Sequence, residues 1–204
     1  YGLGIGPLFA SVFEEGTDNI GLTVGYVYPG SPAETAGLRR GDTIYQIGSN
    51  RVTRANYQNY MQELFYDANG TYKIHFARFE ADETAQKYDL NLEHSINVTA
   101  DTYGYNPIIY AAILSDSEND DGTFNIGYMV SESFDSSAQE VLDYQIQEFI
   151  NAGITELILD LRFNAGGEVQ QSRYLASAIA GRSYDDRHFF KAEYNDGKLE
   201  EWKF

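Results

Sequence analysis

Residues 157–168 read LILDLRFNAGGE. Within them, Asp160, Arg162, Gly166 and Gly167 have types and spacing that could do chemistry. A β-rich run delivers Asp160 and Arg162 to its C-terminal end, where α/β proteins place ligands. Two adjacent glycines then open a helical pattern, EVQQSRYLASAIAG. The first N–H groups of a helix lack intrahelical acceptors and lie in its positive dipole field. Gly166 and Gly167 are therefore oxyanion-site candidates, main-chain donors aimed where a carbonyl oxygen gains charge. On spacing alone a tight strand-to-helix turn is the favoured explanation, because such turns are common in α/β folds.

A second glycine-rich loop opens the chain as YGLGIG, where Gly2, Gly4 and Gly6 alternate with Leu3 and Ile5. Successive amides in such a loop form a concavity that can hold a carboxylate. A flexible chain end would read the same way. Other candidates are weaker. His75, His94 and His188 have no triad spacing. Asp116, Glu118 and Asp120 alternate in DSENDDG, but a calcium loop needs its glycine one place earlier and a carboxylate where Gly127 stands. A solvated hairpin turn is the better reading, and no metal site is expected. The 17 tyrosines carry no mechanism.

The elements around these loops follow from pattern. GLTVGYVY is a strand. SPAETAG is a compact helix with Ser31 as N-cap, Pro32 at the first helical position, Glu34 closing a capping box and Gly37 as the stop. GDTIYQIGSNRV gives a strand at 43–47 and a turn. Thr53 is placed to cap a second helix, whose Tyr57, Tyr60, Met61, Leu64 and Phe65 form one apolar face. TYKIHFARF and YDLNLEHSI alternate as a hairpin buried on one side. From about residue 97, PIIYAAIL and FNIGYMVS are strands. SSAQEVLDYQIQEFINAG is a helix with Ser137 and Glu140 at capping-box spacing and a stripe of Leu142, Ile146, Phe149 and Ile150. ITELILDL reads as a strand covered on both faces. The result is a βαβα unit, followed by a hairpin-like tail. Two parallel strands and their helices make a poor free-standing domain, which suggests truncation at Phe204. An initial Tyr likewise suggests a piece of a longer protein.

Composition narrows the function classes. The 204 residues suffice for one large domain or two small ones, and 43% hydrophobic residues support a packed core. A formal net charge of −17 repels phosphate backbones, so nucleic acid is not an expected partner. The absence of cysteine excludes disulfides, thiolate metal sites and cysteine nucleophiles. No apolar run approaches about 18 residues, so no membrane span is expected.

YGLGIG, VGYVYPGSPAETAGLRRGDTIYQIGSNRV and the helix after Thr53 together resemble a PDZ domain. The resemblance implies binding of a peptide's free C-terminus, added as a β-strand. Leu3, Gly4 and Ile5 would hold the carboxylate. Tyr57, Tyr60, Met61 and Leu64 are groove candidates, although half of them must face the core. Downstream, IGYMVSESF and ELILDLRFNAGGEVQQSRYLASAIAG resemble the C-terminal processing peptidases, or tail-specific proteases. The family's Leu-Asp-Leu-Arg-x-Asn-x-Gly-Gly motif is complete at 159–167. That resemblance implies a serine endopeptidase with a Ser nucleophile and a Lys base, one glycine of the pair giving an oxyanion amide. No matching Ser or Lys stretch occurs before Phe204: Ser172 and Ser177 lie in the last helix, Lys191 and Lys198 in the tail.

The expectation is therefore α+β: a PDZ-like β-sandwich with two helices over 1–96, then a partial α/β (βαβα) protease core over 97–204, truncated before the catalytic Ser and Lys and itself inactive. The implied partners are C-terminal tails of protein substrates. No cofactor is expected, and the implied location is extracytoplasmic, in the periplasm or cell envelope. The alternative is a non-catalytic peptide-binding scaffold of the envelope, and a purely structural module remains a third.

Overall fold

The computed structural model describes residues 1–82, 87–115 and 125–204. The acidic turn at 116–122 lies outside the described residues. The chain divides into two compact units, Tyr1–Tyr105 and Asn106–Phe204.

The first unit is an antiparallel sheet with two short helices. Its strands are β1 (Leu8–Val12), β2 (Ile20–Val24), β3 (Thr43–Ile47), β4 (Asn50–Arg51), β5 (Thr71–Asp82) and β6 (Lys87–Thr99), ordered β1-β2-β3-β5-β6 with β4 on β3. The core gathers Leu22, Ile44, Val52 and Ile74, all fully buried, with Leu3 and Ile5 from the glycine loop. Helix α1 (Pro32–Thr35) is capped as its sequence requires: Ser31 Oγ accepts from the Glu34 N–H, and Gly37 follows at φ 92°. The Glu34 carboxylate reaches the Gly30 N–H, one residue before the cap, at 2.6 Å. Buried Asp42 then fixes the chain after α1. It accepts from the Arg39 N–H and from Arg78 Nε and Nη2, each at 2.7 Å.

The second helix departs from expectation at both ends. Helix α2 (Tyr57–Gln62) has its N-cap at Asn56, not Thr53. Asn56 Oδ1 takes the Thr53 N–H at 2.7 Å, so the turn before the helix closes on the later residue. After Gln62 the helix widens to a π-turn, Glu63–Asp67. Within that turn Leu64 is core at 1% exposure and Tyr66 is 68% exposed.

In the second unit, β7 (Ile108–Ser115) pairs antiparallel with β8 (Asn125–Ser131), and β8 pairs parallel with β9 (Glu156–Asp160). Helix α3 (Gln139–Asn151) makes the crossover, and α4 (Val169–Ala180) follows β9. The chain enters α3 through a 3-10 turn at Ser136–Ala138, where Asp135 accepts from the Ser137 N–H. The cap is therefore Asp135, and the Ser137–Glu140 box is not formed. Leu142 and Phe149 are buried and Ile146 packs beside them, but Ile150 is 62% exposed. Ile150 lies about 100° around the helix from Phe149, which turns it off the packed stripe. Strand β9 is covered on one face only. Leu157 and Leu159 join the core, while Ile158 between them is 47% exposed. The tail forms a separate hairpin of β10 (His188–Glu193) and β11 (Leu199–Lys203), with Phe190 stacked on Trp202. The whole is α+β, a PDZ-like sheet domain and a βαβα unit.

Candidate active site and peptide groove

The end of β9 is built on a buried carboxylate. Asp160 is 7% exposed. Its register partner in β8 is Val130, and Tyr128, two residues earlier on the same face, donates its hydroxyl to Asp160 Oδ2 at 2.8 Å. Arg162 closes on the same group with its own N–H at 3.0 Å and with Nη2 at 2.6 Å. The Arg162 side chain and then its N–H, followed by the Tyr128 hydroxyl, hold the Asp160 carboxyl well below the usual carboxylate range. Reciprocally, the hydrogen bond to Asp160 raises the Tyr128 phenol and the Arg162 guanidinium. The ion pair locks the direction in which the chain leaves the sheet.

Beyond Arg162 the main chain folds back on the segment after β8. The Asn164 N–H donates to Leu161 O at 2.9 Å and the Ala165 N–H to Glu132 O at 3.0 Å. The Phe134 N–H donates to Gly166 O and the Glu168 N–H to Phe134 O, both at 2.8 Å. The Gly166 N–H is held by Asn164 Oδ1 at 2.8 Å. Of the five consecutive N–H groups from 164 to 168, only that of Gly167 has no acceptor among the described residues. It stands one residue before Glu168, the N-cap of α4. The two glycines are needed for different reasons. Gly166 has φ 106° in open space, whereas Gly167 has φ 137° and a Cβ there would lie 2.5 Å from the Phe134 carbonyl oxygen. A side chain at Gly166 meets strain alone; at Gly167 it also meets backbone.

The groove of the first unit lies between β1 and α2. Around β1 the Gly25 N–H donates to Pro7 O and the Phe13 N–H to Asn19 O. In that phase the odd-numbered residues exchange hydrogen bonds with β2, and the amides of Leu8, Ala10 and Val12 point away from it. Strand β1 ends the sheet, so this edge is open among the described residues. A groove of about 500 Å³ runs along it, lined by Pro7, Leu8 and Ala10 on one side and Tyr57, Met61 and Phe65 on the other. Its further lining, Gln58, Gln62 and Tyr66, adds no charge. Tyr57 and Met61 thus lie in the groove. Tyr57, Tyr60 and Met61 all pack on the core, Leu64 belongs to it, and Tyr60 is not among the groove lining. Leu3 and Ile5 are buried by their side chains, and Gly4 at φ 74° lies so close to Ser31 that a Cβ there would overlap it. The Gly2 N–H is bound by Asp101 O and the Gly6 N–H by Tyr26 O, but the N–H groups of Leu3, Gly4 and Ile5 have no acceptor among the described residues.

Ser172, Lys191 and Lys198 of the second unit are engaged elsewhere. Ser172 Oγ donates to Val169 O, Lys191 pairs with Glu201 and Lys198 with Glu200. His94 meets Glu80 and His188 meets Glu201. Among the described residues no group of three or more His, Asp or Glu side chains could hold a metal. No helix among them is long and apolar enough to cross a membrane. Sequence reasoning missed Tyr128, 32 residues before Asp160, and the main-chain staple at Phe134. It also left Asn164 without a role.

Residues 125–201 match the model of peptidase family S41, and residues 23–65 match that of the PDZ domain. No curated protein matches the sequence. Among solved structures, a Bacteroides fragilis protein described as an S41 protease superposes with a TM-score of 0.77 at 17% identity, over 98% of this chain and 51% of its own. A photosystem II D1 C-terminal processing protease gives 0.47 at 20% identity, over 85% of this chain and 43% of its own. The chain thus spans about half the length of these structures, and at 17% identity the likeness to the first concerns the fold alone. Residues 23–65, which hold α2, thus match a PDZ domain, and residues 125–201, which hold the turn from Leu159 to Gly167, match peptidase family S41.

Proposed function

We propose that this chain is the substrate-gripping portion of a serine endopeptidase that takes up free C-terminal tails of proteins and cleaves them. A tail adds to the open edge of β1, its apolar side chains opposite Tyr57 and Met61. Its carboxylate meets the unengaged amides of Leu3, Gly4 and Ile5. The scissile carbonyl meets Gly167, the oxyanion donor of the glycine pair, with Gly166 turned to Asn164. The nucleophilic Ser and its Lys base come from parts of the parent protein outside this chain, and no cofactor takes part. The parent works in the periplasm or cell envelope. The observation that carries this reading is the lone unengaged amide of Gly167, in the glycine pair of the family motif, at the start of α4.

The engagement of Ser172, Lys191 and Lys198 favours a second reading, a non-catalytic peptide-binding scaffold. One reporter protein with an apolar tail separates the two. The parent is expected to cut it, while this chain binds the tail without cutting. A parent that binds the tail and leaves it intact supports the scaffold. Blocking the tail as an amide is expected to weaken binding to this chain by about tenfold, the loss of a charge-assisted contact. Equal affinity for acid and amide would remove the carboxylate clamp.

A further inference from the structure

Asn164 makes two hydrogen bonds that point in different directions. Its Oδ1 accepts the Gly166 N–H at 2.8 Å, and its Nδ2 donates to Ser131 O, the last residue of β8, at 3.3 Å. The first bond decides which amide of the glycine pair is available. Gly166 and Gly167 both have positive φ, at 106° and 137°. Left without acceptors, both amides would be open to water or an anion before any reaction starts. A site filled in that way stabilises the ground state and contributes nothing to the barrier. Masking Gly166 leaves one donor, Gly167, for charge that develops later. The second bond fixes where that donor stands. Ser131 belongs to the strand that also carries Tyr128, the partner of Asp160. The glycine turn is therefore referenced to β8 at Ser131 and, through Asp160, at Tyr128.

We infer that Asn164 is a positioning residue that selects Gly167 as the oxyanion donor of the glycine pair, by occupying the Gly166 amide and tethering the turn to β8. This rests on the peptidase reading for its chemical consequence, though not for its geometry. A turn-forming asparagine of purely structural value would stabilise the loop without dividing the roles of the two amides.

The geometric part is tested on this chain by amide hydrogen exchange resolved at Gly166 and Gly167. In the native chain Gly166 is expected to exchange more slowly than Gly167. Asn164→Leu keeps the side chain's bulk and removes its acceptor, and is expected to speed Gly166 exchange on the order of tenfold, the scale of one lost neutral hydrogen bond. Asn164→Asp keeps the acceptor and is expected to preserve Gly166 protection. Unchanged Gly166 exchange in the leucine variant overturns the inference. So does lost protection in a folded aspartate variant, which decides the matter if the leucine variant does not fold. The chemical part is tested on the parent enzyme with a tailed peptide. Asn164→Leu is expected to lower kcat on the order of 10²-fold, the scale of a misplaced oxyanion donor, with KM within about twofold. Asn164→Asp is expected to recover most of that loss. A KM effect with kcat intact overturns the positioning role. A native parent without activity instead overturns the peptidase reading, and the exchange measurements then decide the Asn164–Gly166 division by themselves.

Discussion

Asp160 is almost wholly buried, yet its carboxylate receives the Tyr128 hydroxyl, the Arg162 main-chain N–H and the Arg162 guanidinium. These donors favour the charged form and lower its folded pKa. In the unfolded chain the group returns to an ordinary value of about 3.9. A carboxyl depressed on folding contributes stability that is fully present above the unfolded value and is lost as pH falls through the folded one. Asp160→Asn retains the shape and removes the charge. At about pH 7 it is expected to cost about 2 kcal/mol, the scale of a hydrogen bond to a charged group. In acid, native Asp160 loses its advantage, so the gap between the two proteins should narrow below about pH 4. Urea midpoints of the two proteins at neutral and acid pH measure that gap. A gap that stays constant or widens in acid would show that Asp160 acts by packing rather than by charge.

Strand β1 carries the most specific consequence of any single element. Its odd-numbered residues bond β2, and the amides of its even-numbered residues face the open edge beside α2. Ala10→Pro removes one outward amide and leaves the β1–β2 ladder intact, since proline is tolerated on an edge strand whose N–H faces away. If a peptide adds to this edge, Ala10→Pro is expected to weaken it about fivefold, the loss of one neutral hydrogen bond, with the melting temperature little changed. Fluorescence anisotropy with a labelled apolar-tailed peptide reads the first effect, and a thermal melt the second. Undiminished affinity would place the peptide elsewhere than on β1. At this scale much was legible in the sequence. The main strands and helices from β2 onward, the Ser31 cap, the Gly37 stop and the glycine turn follow from local pattern and turn chemistry, whereas β1 (Leu8–Val12) was not read from the sequence. What escaped was set by distance. Asn56 stands at the N-cap of α2 in place of Thr53, its side chain taken by the Thr53 N–H, and Asp135 replaces the Ser137–Glu140 box of α3 because a competing acceptor lay two residues before Ser137. The π-turn at Glu63–Asp67 has no local signal, although the apolar spacing had already put Leu64 on the buried face. The Asp42–Arg78 and Tyr128–Asp160 contacts span 36 and 32 residues, beyond any periodicity. Asn164 was in plain sight within its motif, but its role depends on the direction of two hydrogen bonds.

Over the whole molecule the two units differ in how much apolar surface each removes from water. Among the described residues the first gathers seventeen buried members into one cluster, including Leu22, Ile44, Val52 and Ile74 at no exposure. The cluster of the second has five: Ile108, Met129, Leu142, Phe149 and Leu175. Its sheet leaves Tyr110, Leu114 and Ile158 between 43% and 56% exposed, and Ile150 and Ile179 stand on its helices at 62% and 50%. Burial contributes roughly 25 cal/mol per Å² of apolar area, while conformational entropy opposes folding at about 1–2 kcal/mol per residue in both units. Two units of similar length therefore face similar entropic costs with unequal compensation. Residues 1–105 expressed alone are expected to melt cooperatively and to bind the apolar-tailed peptide with the affinity of the whole chain. Residues 106–204 alone are expected to melt at a lower temperature, with a shallower transition, and to bind a hydrophobic dye before heating, as loosely packed states do. Calorimetry and dye fluorescence on the two fragments distinguish the outcomes. A second fragment as stable as the first, and dark to the dye, would mean that its five-residue cluster with the side chains packed around it suffices. The exposed Ile158 face would then be ordinary surface rather than a sheet face left uncovered.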